Sequence, residues 1–104
     1  MMNDTKWDEL RLAMYELDDL TPRWRTRDVE NGHLSEWDRE WFDHFRNSGY
    51  KFIQWVEIAV DTNEQRAAVL AELVRIHVPS EQTESGYRVF GYVKTGEAVD
   101  HIKG

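Results

Sequence analysis

The sequence predicts an α+β domain: an antiparallel sheet of four to five strands with two helices, in the order α-β-β-(β)-β-α-β. Three observations carry this expectation. Two runs with helix-start signals hold apolar residues at helical spacing, at about residues 5–19 and 63–76. Around them, short runs rich in Trp, Ile, Val and Phe alternate with period two. Asn31-Gly32, Asn47-Ser48-Gly49 and Gly86 separate those runs as turns, because Gly and Asn accept positive φ at little cost.

The elements follow in order. Thr5 caps the first helix with Asp8 three residues on; Trp7, Leu10, Met14 and Leu17 form its stripe, and Pro22 ends it. Residues 23–29 read as a strand with Trp24, Thr26 and Asp28 on one side and Arg23, Arg25 and Arg27 on the other. After the turn at Glu30-Asn31-Gly32, residues 33–37 return as a second strand.

Residues 35–46 admit two readings. As a helix, Ser35 caps and Trp37, Trp41, Phe42 and Phe45 form an apolar face. As strands, a tight turn at Asp38-Arg39 leads into a strand at 40–46. Turn signals at both ends favour the strand. Residues 51–60 are the clearest strand, with Phe52, Val56, Ile58 and Val60 on one side and Ile53, Trp55 and Ala59 on the other, so this strand is expected to be central. Thr62 and Gln65 make a capping box for helix 63–76, whose stripe is Val69, Leu70, Leu73 and Ile76. Pro79 closes that region, residues 80–86 read as a polar loop, and residues 87–93 as the last strand. Residues 94–104 read as a flexible tail, which leaves 1–93 as one domain.

Composition narrows the class. The 104 residues fit one domain, and 40% apolar with 12% aromatic content excludes a disordered chain. There is no cysteine, so disulfides, thiol chemistry and Cys-ligated zinc are excluded. No secretory leader and no apolar run of about 20 residues is visible, so a cytoplasmic protein that does not enter membranes is expected. The net charge of −7 disfavours nucleic acids and anionic membranes. Acidity is concentrated at the front, where residues 1–22 hold six acids against two bases.

The segments Trp37-Asp38-Arg39-Glu40-Trp41-Phe42, Ile76-His77-Val78-Pro79 and Tyr87-Arg88-Val89-Phe90-Gly91-Tyr92 carry a resemblance. Over roughly residues 5–93 the chain resembles a family of short uncharacterised bacterial proteins, a domain of unknown function. That resemblance implies a bacterial origin and says nothing about chemistry.

Four groups of residues invite a functional reading. Glu40, Asp43 and His44 are the candidate ligand-binding or acid–base group, and His77 and Glu57 are further titratable candidates. No metal site is expected from them, since a site needs three or more convergent ligands and the other His residues are scattered. No phosphate loop, nucleophile elbow or zinc-protease motif occurs, and no cofactor is implied. Arg23, Arg25 and Arg27 interleave with Trp24 as single-strand nucleic-acid binders do, but ion pairs to Glu36, Asp18 and Asp19 explain them without a ligand. Of the five tryptophans, three are expected in the core and one or two, Trp55 among them, on a surface.

Glu16, Asp18 and Asp19 are the last group. They fall at or past the helix C-terminus, where the dipole opposes carboxylates by roughly 0.3–1 kcal/mol each. Arg23, Arg25 or Arg27 folding back onto them is one explanation; an acidic patch that steers a basic partner is the other. The expected function is therefore a small acidic non-catalytic protein-interaction module, inhibitor- or immunity-like, with Glu16, Asp18, Asp19 and Trp55 at its contact surfaces. A homodimer through the open face of the sheet is a second expected contact. The alternative is a small enzyme or ligand-binding protein that uses His44 with nearby carboxylates.

Overall fold

The structure, a computed structural model, describes residues 2–47 and 49–92. The tail expected at 94–104 and the end of the strand expected at 87–93 lie outside the described residues. Helix α1 is Asp4–Tyr15, followed by strands β1 Arg23–Asp28 and β2 Ile53–Ala59, helix α2 Asn63–Ile76, and strands β3 Ser80–Gln82 and β4 Gly86–Phe90. The four strands pair antiparallel in the order β1-β2-β4-β3, so β2 is central as its two apolar sides require. The class is α+β, with the order α-β-β-α-β-β. None of the described helices is long and apolar enough to cross a membrane.

Helix α2 forms where its capping box places it. The Thr62 hydroxyl accepts the Gln65 N–H at 3.0 Å, and the Gln65 side chain accepts the Asp61 N–H at 2.6 Å. Its end is His77 in the left-handed region, φ 54°. Helix α1 departs from expectation at both ends. Asn3, not Thr5, is the N-cap and accepts the Lys6 N–H at 2.9 Å. The helix stops at Tyr15 rather than near residue 19, because Asp18 turns left-handed at φ 53° and opens a single 3₁₀ turn, Asp18–Leu20. An Asp tolerates that conformation better than most residues do. The Thr21 hydroxyl then donates to the Met14 carbonyl at 2.7 Å, beside the Leu17 N–H that this carbonyl also accepts.

Both helices share one core with the sheet. Trp7, Leu10 and Met14 of α1 and Val69, Leu73 and Ile76 of α2 meet Trp24, Val56, Ile58, Tyr87 and Val89 from the strands. The core is completed from the segment between β1 and β2. Trp41 and Phe45 pack with centroids 4.8 Å apart, and Trp24 lies within 5.9 Å of both. Trp41 donates to the Pro22 carbonyl at 2.9 Å and Trp24 to the Glu40 carbonyl at 3.1 Å, so two indoles satisfy their polar atoms while buried.

That segment is neither the helix nor the strands expected of it. Residues 33–38 run beside β1 without a continuous ladder, paired with it at two isolated bridges, Arg27 with Leu34 and Trp24 with Asp38. The ladder is broken because the Ser35 hydroxyl, not a carbonyl, accepts the Thr26 N–H at 2.9 Å. In place of the strand at 40–46, carboxylates organise the backbone. Asp38 accepts the Glu40 N–H, Glu40 accepts the N–H groups of Asp43 and His44, and the chain makes one 3₁₀ turn at His44–Arg46.

Two further corrections concern the sheet. The residues read as a polar loop at 80–86 hold β3, which pairs with β4 across a short connection. Gly86 starts β4 because a Cβ there would collide with the Ile58 carbonyl oxygen. The register of β1 against β2 slips between Arg27 opposite Trp55 and Asp28 opposite Ile53, leaving Gln54 as an extra residue. This bulge sends Ile53 into the core, whereas Trp55 stays on the open face, so the two do not share a side.

Candidate functional site

The three acids at the end of α1 form an exposed corner. Glu16 is the helix C-cap, and Asp18 and Asp19 occupy the 3₁₀ turn that follows. Glu16 and Asp18 line an open hollow of about 640 Å³ with Tyr15, Thr21 and Arg39. Asp19 lines a smaller hollow of about 190 Å³ beside it, with Arg23, Arg39 and Asp61. The expected fold-back of arginines does not occur. Arg23 pairs with Asp61 at 3.1 Å, Arg25 with Glu57 at 2.7 Å, and Arg27 donates to the side-chain oxygen Oε1 of Gln54 at 3.0 Å. Among the described residues no ion pair reaches Glu16, Asp18 or Asp19.

Aromatic surface adjoins this corner. Tyr15 is 51% exposed and Phe42 40%, with ring centroids 5.2 Å apart. Phe42 is held from behind: the buried Arg11 places its guanidinium 4.9 Å from the ring and donates to the Phe42 carbonyl at 2.6 Å. A fixed aromatic pair beside unpaired carboxylates presents both apolar area and negative field to a partner.

The group proposed around His44 stays close in space, but its carboxylates bond elsewhere than to the imidazole. Glu40 spends its carboxylate on the backbone of Asp43 and His44, and Asp43 pairs with Arg46 at 3.5 Å. The residue that does meet His44 is Asp38, whose Oδ2 lies 2.8 Å from Nδ1. This hydrogen bond, with the surrounding carboxylates, holds the His44 imidazole above its usual pKa despite slight desolvation. Burial works to raise Asp38, but the Glu40 N–H and the His44 ring prevail and hold its carboxyl low. His44 borders a hollow of about 220 Å³ with His33, Ser35, Phe45 and Phe52. Ser35 is already engaged, accepting from Thr26 and donating to the Glu36 carbonyl at 3.2 Å, and no hydrogen bond joins it to His44 among the described residues. No group of three His, Asp or Glu suited to a metal ion occurs among the described residues.

Trp55 belongs to a third place, the open face of the sheet. There the register sets Arg25 opposite Glu57, Glu57 opposite Arg88, and Arg88 opposite Glu81. Glu57 is buried and receives Arg25 at 2.7 Å and Arg88 at 3.3 Å, while Arg88 reaches Glu81 at 3.3 Å. Arg88 lies 4.4 Å over the Trp55 ring and Arg25 4.6 Å over that of Trp37. Trp7, Trp24 and Trp41 are core, so three tryptophans are buried and two border surface, as expected.

A model of the family of unknown function DUF6678 matches residues 1–96. The chain belongs to DUF6678. No curated protein and no solved structure matches it. In this DUF6678 chain the structure therefore separates the residues that the sequence singled out: Glu16, Asp18 and Asp19 share one corner, His44 sits on the turn after Glu40, and Trp55 is on the sheet. Sequence reasoning missed Asp38, Arg39, Phe42 and Arg88. Only Arg88 had a signal, since recognising β3 would have set it opposite Glu81.

Proposed function

We propose that this DUF6678 chain is a small acidic non-catalytic protein-interaction module, of the inhibitor or immunity kind, whose α1–β1 corner receives a basic surface of another protein. One observation carries the reading: Glu16, Asp18 and Asp19 stand free of ion pairs beside the exposed Tyr15–Phe42 pair, although three arginines follow within a few residues. Carboxylates placed against a helix C-terminus are unfavourable for the fold, which suits a surface kept for something else. The setting we place it in is a bacterial cytoplasm, on the resemblance noted above and the cysteine-free composition.

The test is an affinity capture from native lysate, followed by binding kinetics with the captured protein. Replacing the acids together, E16Q/D18N/D19N, should slow association by about tenfold at low ionic strength and little at high salt. The fold should be unchanged or slightly more stable. A partner that associates equally fast with both forms rejects the proposal, as does a triple variant that loses several kcal/mol of stability.

A second reading, a small enzyme or ligand-binding protein, is favoured by the 2.8 Å His44–Asp38 contact at the edge of an aromatic-lined hollow. It calls for a small molecule whose addition shifts the His44 ring resonances; a ligand that binds equally well to His44→Ala removes it.

A further inference from the structure

We infer that the open face of the sheet packs against the same face of a second copy of this chain, about a two-fold axis parallel to the strands and midway between β2 and β4. Across the sheet, in the order β1, β2, β4, β3, the row reads Arg25, Glu57, Arg88, Glu81. Its signs are plus, minus, plus, minus. An alternating row with an even number of members inverts its signs when it is turned end for end. A two-fold axis along the strands turns it in that way. It lays Arg25 over the partner's Glu81 and Glu57 over the partner's Arg88, and each relation occurs twice, as an isologous contact requires.

A two-fold axis along the row itself would instead set each charge over its own kind, which is repulsive. The sequence of charges therefore selects one arrangement of the two copies. The neighbouring row agrees with it. Trp55 is opposite Phe90 across β2 and β4, both half-buried in a single copy, and the same axis lays Trp55 over the partner's Phe90. Two twisted sheets packed face to face cross at about 30°, which keeps the central Glu57 and Arg88 pairs within reach.

The face is also suited to self-association by what it lacks. The chain carries −7 overall, which repels a second copy over most of the surface. The strands present Arg23, Arg25, Arg27 and Arg88 here, balanced in part by Glu57, Glu81 and, at the edge, Asp61, so the general repulsion is least across this face. Four short strands spaced about 4.8 Å apart make a small face, below the roughly 800 Å² per partner of a standard interface. The dimer is accordingly one of micromolar strength.

The experiment is sedimentation equilibrium of the full chain from low to high micromolar concentration, with Glu81→Arg and Glu72→Arg in parallel. Both substitutions change the net charge equally. Glu81 is half-exposed on the face, whereas Glu72 lies on α2 and pairs with Arg75 at 2.6 Å. The expected result is a monomer–dimer equilibrium that E81R weakens about tenfold, equivalent to about 1.4 kcal/mol, and E72R leaves unchanged. Circular dichroism checks that E81R is folded, and Trp55→Ser serves as a second disruption of the same face. A monomer throughout overturns the inference. So does a dimer that E81R and E72R weaken alike, and so do assemblies beyond the dimer, which would mean a head-to-tail contact between the acidic corner and the arginines. The acidic corner takes no part in the two-fold contact, so failure here leaves the proposal of a basic partner standing.

Discussion

The open face of the sheet and the corner after α1 both carry carboxylates close to arginines, yet they treat them in opposite ways. On the sheet, Glu57 is bracketed by Arg25 and Arg88 and is almost out of solvent. At the corner, Glu16, Asp18 and Asp19 remain in solvent while Arg23 turns to Asp61. Strand geometry explains the difference. Arg23, Arg25 and Arg27 project from one side of β1, and the register brings their partners from β2 and its flanks. On that side the arginines meet Asp61, Glu57 and Gln54 and take them in place of the acids of the preceding turn. Sequence proximity thus predicted the wrong partners, and pairing across the sheet decided them.

The largest expected effect breaks the sheet side of this contrast. Glu57→Gln leaves Arg25 and Arg88 without their shared counter-charge. Both arginines are about one-third exposed, which softens the penalty below that of a fully buried pair. A loss of about 2 kcal/mol is expected by urea denaturation. A loss near zero would mean that the row is held by Trp37 and Trp55 stacking instead.

At the corner the sign reverses. Asp18→Gly removes both a carboxylate at a helix end and a left-handed side chain at φ 53°. It should raise stability by about 1 kcal/mol, measured the same way. Destabilisation would show that Asp18 holds the turn through a contact.

A third acid sharpens the contrast, because Asp8 on α1 is engaged where Glu16 is not. Its Oδ1 accepts the Tyr50 hydroxyl at 2.5 Å. Burial, with this bond and its negative charge, pushes the Tyr50 phenol up to about 12 from its usual 10. The folded state therefore keeps the phenolic proton more tightly than the unfolded one. The stabilisation is complete below pH 10 and is lost between about pH 10 and about 12. Ultraviolet titration of Tyr50→Phe against the parent should remove one late-titrating tyrosine.

The smallest effect belongs to His44. Its raised pKa means the pair with Asp38 favours the fold below the ordinary histidine value and weakens as pH climbs through the raised one; the lowered Asp38 carboxyl loses its share only in acid. Nuclear magnetic resonance should place the His44 transition above the ordinary histidine value, and Asp38→Asn should lower it.

Legibility followed the kind of bond that shapes each element. Helix α2 was readable to the residue because Thr62 and Gln65 cap it through a local pattern. Strands β1 and β2 were readable from alternation. The stretch 33–46 was not, because Ser35, Asp38 and Glu40 replace main-chain partners with side-chain oxygens, and no periodicity records that. Its helical spacing of aromatics was coincidental: Trp41 and Phe45 are buried, whereas Trp37 and Phe42 are exposed. β3 has three residues, two of them exposed, too few to show a pattern. At the corner, the position of the acids was legible and their freedom from arginine was not, since that depends on the far side of the sheet.

The aromatic plug formed by Trp41 and Phe45 has a consequence for the rate of unfolding. Both rings come from the segment between β1 and β2, Phe45 from the 3₁₀ turn His44–Arg46, and they close the core against Trp24 across a long stretch of chain. Helices α1 and α2 and the β3–β4 hairpin can form from near neighbours, whereas the plug needs the loop between β1 and β2 closed, and we expect it to form after the transition state. Contacts made after the transition state govern how fast the native state opens and hardly how fast it forms. Trimming the plug, as in Phe45→Leu, should therefore steepen loss of the native state in unfolding jumps while refolding keeps its pace, so that this loop sets the lifetime of the fold.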